Sequence, residues 1–178
     1  VLDHDYEEEI LRLRELLFEE RRRARTDVVT GLDNRRSFET QVRDLADSDE
    51  SFAVVIVDAC NLHTANKVLG YDGGDSLLRE IARCVRAECD VAYRIGGDEF
   101  AVIVQTGSSG LLQVAMEVAV RMQDAVGRRQ LLPGVSFGLA VGAAKFSGDL
   151  DAMLKLAHLR CMENKLALKE AWGEDEAR

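Results

Sequence analysis

Eight residues, FAVVIVDA from Phe52 to Ala59, constrain the fold of this chain more than any other stretch. The run is apolar without interruption and rich in β-branched side chains until Asp58, where it ends. A half-exposed strand would alternate polar and apolar positions, and a surface helix would show a polar face. A strand-length run that is apolar on both sides must be covered on both faces, so it predicts a buried central strand.

The segments around it supply candidates for that cover. Gly31, Asp33 and Asn34 mark a turn, and Arg35 opens a helix. After the central strand, NLHTANKVLG leads to a Gly-rich break at Gly70, Gly73 and Gly74. SLLREIARCVRAE then places Leu77, Leu78, Ile81 and Val85 on one helical side. VAYRI, GGDE and FAVIVQ read as strand, tight turn and strand. SSGLLQVAMEVAVRMQDAV is a helix with serine caps at its start. VSFGLAVGA is a further strand, and DLDAMLKLAHLRCMENKLALKEA is a long closing helix. Alternation of this kind predicts an α/β (α+β) sandwich, a mixed sheet flanked by helices. At 178 residues the chain suits one such domain. The expected division is a helical stalk over 1–26, the domain over 27–172 and an acidic, frayed tail over 173–178.

In the stalk, Tyr6, Ile10, Leu13, Leu17, Glu20 and Ala24 recur at alternating spacings of four and three, a heptad seam with one polar interruption. A plain amphipathic helix fits almost as well; the coiled coil is the preferred reading. A parallel dimeric stalk would transmit a signal from upstream. The start, VLDHDYEEEI, has no initiator Met and no signal-peptide pattern. The chain therefore reads as a piece of a longer protein, with a sensory or receiver domain ahead of it.

A net charge of −9 argues against nucleic acid or an anionic membrane as the main partner. No apolar run approaches the ~18 residues of a membrane span. Cys60, Cys84, Cys89 and Cys161 form no CxxC pair and have no zinc spacing, and they read as reduced thiols of a cytoplasmic protein.

Chemistry is concentrated at two places. Asp58 ends the central strand, and the hairpin tip in RIGGDEF carries Asp98 and Glu99. A βαββ arrangement can bring these together, and two carboxylates with a backbone carbonyl suit Mg²⁺, which keeps several waters and shares substrate phosphates. Gly96 and Gly97 permit positive φ and close approach of a ligand. Taken alone, a solvated Gly-Gly turn explains the tip equally well.

GGDEF at Gly96 to Phe100 resembles the signature of the diguanylate cyclases, the GGDEF domains. DVVTGLDNRRSF, VVIVDACNLHTANKVLGYDGGDSLL, VSFGLAVG and AHLRCMENKLALK resemble the family's other segments in order and spacing, from Asp27 to Lys169. The resemblance implies a palm-like fold related to polymerases and nucleotidyl cyclases. It also implies condensation of two GTP into cyclic di-GMP and two pyrophosphates, with Mg²⁺ or Mn²⁺, in a homodimer joined by the stalk and across its active sites. Asp58, Ala59 (through its carbonyl) and Asp98 match the metal ligands. Glu99 serves either a second metal or the 3′-hydroxyl proton. Asn66 and Asp75 match the guanine-binding pair; a carboxylate accepts from both N1–H and the 2-amino group of guanine. Gly97 clears space for phosphate, backbone N–H groups around Leu62 and His63 cradle it, and Lys165 and Lys169 reach the terminal phosphates.

The chain departs from the family at Cys60, in place of an acid, and His63, in place of Lys. Lys67, Tyr71, His158, Met162 and Lys169 also differ from the usual residues. Of the product-inhibition motif Arg-x-x-Asp, Asp90 is present, but Ala87 holds the Arg position and Arg86 is one residue early. Product feedback is therefore expected to be absent or weak. The competing reading is a degenerate domain that binds GTP or dimerises without catalysis. A cyclase making a mixed purine dinucleotide is disfavoured by Asp75.

Overall fold

The structure, a computed structural model, describes residues 4–48, 50–105, 107, 110–129 and 137–176. In chain order the elements are α1 (His4–Arg25), β1 (Asp33–Asn34), α2 (Arg35–Ala46), β2 (Phe52–Cys60), α3 (Leu62–Glu88), β3 (Ala92–Arg94), β4 (Glu99–Gln105), α4 (Leu111–Gly127), β5 (Gly138–Lys145) and α5 (Leu150–Glu176). The sheet order is β1-β3-β4-β2-β5. β1 runs parallel to β3, and the other pairs are antiparallel.

β2 lies between β4 and β5, and every residue from Phe52 to Val57 is at most 1% exposed. Its side chains split by parity. Val55, Val57 and Ala59 join Phe100 and Val102 beneath α3 and α4. Val54, Ile56 and Cys60 join Ala101 and Ile103 beneath α2 and α5. Each buried Val, Ile or Phe adds about 1.5–3 kcal/mol, which is why an all-apolar run settles only at a doubly covered centre. The mixed sheet flanked by helices matches the expected sandwich.

Several details differ from expectation. β2 continues past Asp58 to Cys60, so Asp58 is paired inside the ladder, opposite Glu99 on one side and Ala140 on the other. Of the three glycines after β2, only Gly70 breaks the helix (φ 73°, ψ 175°). Gly73 and Gly74 are helical and serve close packing: a Cβ on Gly74 would lie 1.6 Å from Asn66 Oδ1. Neither Gly96 nor Gly97 has positive φ. Gly96 is required for space, since a Cβ there would meet Glu99 Oε2 at 2.7 Å. The cap of α4 is Gly110 rather than a serine; Ser108 and Ser109, like Val135 and Ser136 ahead of β5, lie outside the described residues. α5 carries helix through the segment expected to fray, as far as Glu176.

α5 crosses β5 at Gly142, where a Cβ would come within 2.2 Å of Ala157 O. The outer edge of β5 is closed by side chains. Val141 N donates to Asn164 Oδ1 (2.9 Å), Gln123 Nε2 donates to Leu139 O (2.7 Å), and Arg160 Nη1 donates to Ala143 O (2.6 Å). Together these fix how far along the sheet α5 sits.

Candidate active site

Asp58 is placed by the ladder and Lys165 by α5, and they meet. Lys165 Nζ lies 2.7 Å from each oxygen of the Asp58 carboxylate, whose side chain is 13% exposed. Burial works against the ammonium, but the Asp58 hydrogen bond and charge outweigh it. With Cys60 and Asp98 adding to them, Lys165 is raised above the ordinary lysine value.

The hairpin tip reaches the same point through the backbone. Ala59 N donates to Asp98 O at 2.8 Å, and Ile95 N and Gly96 N both donate to Glu99 O (2.9 and 3.2 Å). Asp98 and Glu99 are half-buried, and a Cβ on Gly97 would meet nothing within 4 Å. Among the described residues no three His, Cys, Asp or Glu gather as a ready-made metal cage. Asp58 and Asp98 are hard oxygen donors of the kind a divalent cation takes, one or two carboxylates with water and phosphate completing its shell.

Asn61, between β2 and α3, is left-handed (φ 65°), the one non-glycine residue with positive φ among those described. Asn tolerates this conformation better than most residues, and such strain often marks a functional turn. It starts α3 immediately beyond Cys60. The first N–H groups of a helix have no intrahelical acceptor, which makes its N-terminus favourable for phosphate. Leu62 turns its side chain into the core, at 8% exposed, so only its backbone can serve a ligand. His63 is exposed. The helical break at Gly70 folds the second half of α3 back on the first, so Asn66 lies against Gly74, next to Asp75. Asp75 keeps only a loose ion pair, 4.0 Å to Arg79 Nη2. Lys169 is exposed one turn beyond Lys165.

The family profile described as "Diguanylate cyclase, GGDEF domain" matches residues 24–171. The chain belongs to the GGDEF family.

Among relatives of this GGDEF domain, the diguanylate cyclase TpbB of Pseudomonas aeruginosa is 33% identical over 161 residues, 84% of this chain and 36% of TpbB. The cyclic di-GMP phosphodiesterase PdeB of Shewanella oneidensis is 29% identical in an alignment that covers 93% of this chain and 21% of PdeB. The chain thus spans about a third or less of these relatives' lengths. The coiled coil and GGDEF domain of DgcB from Caulobacter crescentus, solved with c-di-GMP, superposes with a TM-score of 0.77 over 92% of each chain at 22% identity, a likeness of fold.

α3 ends at Glu88, as SLLREIARCVRAE predicts, and Cys89 is extended. Arg86 and Asp90 therefore line one polar hollow, with the Arg86 guanidinium directed to Gly31 O at 2.9 Å. Cys60 is fully buried beside Asp58, and burial with that charge pushes its thiol up to about 11. It is a protonated filler, not a reactive thiol.

Sequence reading gave no role to Asn61, Gln123, Asn164, Arg94 or Asp27. Asn61, Asn164, Arg94 and Asp27 left a signal, since they stand inside the quoted motifs VVIVDACNLHTANKVLGYDGGDSLL, AHLRCMENKLALK, RIGGDEF and DVVTGLDNRRSF; Gln123 left none.

Proposed function

We propose that this GGDEF domain is a diguanylate cyclase that condenses two GTP into cyclic di-GMP and two pyrophosphates. The observation that carries the proposal is the convergence of Asp58, the Asp98–Glu99 turn and Lys165 at one point of the sheet. In each half-reaction the 3′-hydroxyl oxygen of one GTP bonds to the α-phosphorus of the other. The bond from that phosphorus to the oxygen bridging to the β-phosphate breaks, and pyrophosphate leaves. Glu99, or water held by it, takes the hydroxyl proton. Asn66 and Asp75 read guanine, the start of α3 and the open space at Gly97 receive phosphate, and Lys165 and Lys169 neutralise its outer charge. Asp58 and Asp98, with the Ala59 carbonyl, would hold Mg²⁺ or Mn²⁺, which supplies charge stabilisation at the phosphates. Each protomer loads one GTP, so the active species is a dimer.

A second reading follows from the departures. Cys60 is neutral where the family has an acid, His63 is exposed where it has Lys, and one relative is named a phosphodiesterase. On that reading the domain binds GTP and regulates a partner. Incubation of the purified protein with GTP and Mg²⁺ separates the two. The cyclase yields cyclic di-GMP and pyrophosphate in a ratio of about one to two. GTP bound but unconverted at high protein concentration selects the regulatory module. Asp98→Ala should lower turnover by about a hundredfold or more; full activity in that variant rejects the site.

A further inference from the structure

We propose that Arg94 is a positioning residue for the turn carrying Asp98 and Glu99, and that Asp27, at the base of the stalk, sets its hold on that turn. The guanidinium divides its donors among three partners. Nε donates to Gly96 O at 3.1 Å, Nη2 to Gly97 O at 2.7 Å and Nη1 to Asp27 Oδ1 at 3.0 Å. The Arg94 side chain is 12% exposed and that of Asp27 21%, so this pair is shielded from the water and salt that weaken surface pairs. The two carbonyls belong to the turn itself. Holding both fixes the peptide planes on either side of Gly97, and so the direction in which Asp98 departs. A planar fork can do this, whereas a lysine ammonium is a point charge without that geometry.

Asp27 is tied as firmly on its other side. Its Oδ1 also accepts from Thr30 N (2.8 Å) and Thr30 Oγ1 (2.7 Å). Thr26, the residue before it, donates N and Oγ1 to Arg22 O, continuing the last turn of α1. The final stalk carbonyls are taken by α2: Asn34 Nδ2 donates to Ala24 O (2.9 Å) and Ser37 Oγ to Arg25 O (3.0 Å). Stalk, Asp27, Arg94 and catalytic turn therefore form one bonded path, and a displacement of the stalk's last turn acts on the carbonyls of Gly96 and Gly97.

The turnover part of the test rests on the cyclase reading; the exchange part does not. Arg94→Ala, Arg94→Lys, Asp27→Ala and Asp27→Asn are made in the full chain. In the first three, kcat should fall by about tenfold or more with KM for GTP within about threefold, because Asn66 and Asp75 lie on α3. Asp27→Asn keeps an Oδ1 acceptor and should return kcat to within about threefold of wild type. Amide hydrogen exchange at residues 95–99 should quicken by about tenfold in Asp27→Ala and stay unchanged at residues 66–75. Unchanged exchange at the tip in Asp27→Ala overturns the coupling. So does a parallel loss of kcat, KM and Tm in all four variants, which marks a purely structural pair. A wild-type chain that makes no product while its tip exchange still responds removes the cyclase reading and leaves the coupling standing.

Discussion

Lys165 and Cys60 flank the same carboxylate, and their protonation shows how Asp58 governs its surroundings. Lys165 is held charged against its burial, while the Cys60 thiol is held neutral by burial and the same negative charge. Cys161, on the buried face of α5, is pushed up to about 12 for like reasons. Native protein at pH 8 should therefore leave both cysteines unmodified by iodoacetamide, with full modification in urea; mass spectrometry of the peptides reads this. Rapid native labelling of Cys60 would contradict its assignment as a buried, protonated thiol. Asp27 behaves in the opposite sense. Burial raises its pKa, but the Thr30 and Arg94 bonds prevail and leave it below 3.8. A depressed carboxylate stabilises the fold above its unfolded pKa and loses that contribution as pH falls through the folded value. Between pH 5 and pH 3, Tm should thus drop more steeply in wild type than in Asp27→Asn; coincident curves would contradict the assignment. The effect at Asp27 could not be read from sequence, where the hydrogen-bond donors that gather around its carboxylate are invisible.

The elements divide into those that fill space and those that aim side chains, and two glycines separate the roles. At Gly142 a Cβ would strike the backbone of α5, which cannot move without lifting the helix from the sheet. Gly142→Ala should cost about 1–3 kcal/mol, seen as a lower denaturation midpoint. At Gly74 the clash is with the end of the Asn66 side chain, which can swing away. Gly74→Ala should leave the midpoint nearly unchanged and weaken GTP binding by roughly tenfold, about 1.4 kcal/mol, the worth of a hydrogen bond or two. Equal effects on stability and binding in Gly74→Ala would mean that Asn66 does not serve the ligand. At this scale the sequence was informative where one pattern has one solution. FAVVIVDA had to be central, and GGDE between two apolar runs had to be a turn. It misled where one residue type has several uses. Gly73 and Gly74 serve packing rather than breaking, and Gly96 is small rather than left-handed. The candidate site was legible through the order of its motifs, because residues as far apart as Asp58 and Lys165 are joined only by the way α5 crosses β5.

For the whole molecule, the stalk decides what the domain can do alone. Every residue of α1 from Tyr6 to Arg25 is exposed, including Ile10, Leu13, Leu17 and Phe18. A helix packed on its own domain would bury one face, and α1 buries none from Tyr6 to Arg25. A lone helix of this length is marginal in water, and its heptad seam is most simply covered by the same seam of a second copy. That pairing would also set two active sites toward each other, as a reaction between two bound GTP requires. Among the described residues no helix is long and apolar enough to cross a membrane. Replacing Leu13 and Leu17 together by Glu places charges on the seam without touching the domain. Tm of the domain should stay the same, sedimentation should show monomers, and turnover per protomer should fall steeply on dilution and recover as concentration rises. Wild type should depart from linear dependence only at much lower concentration. A doubly substituted chain that remains dimeric, or a shown monomer whose turnover is strictly proportional to its concentration, would remove the stalk from the mechanism and place dimerisation on the domain's own surface.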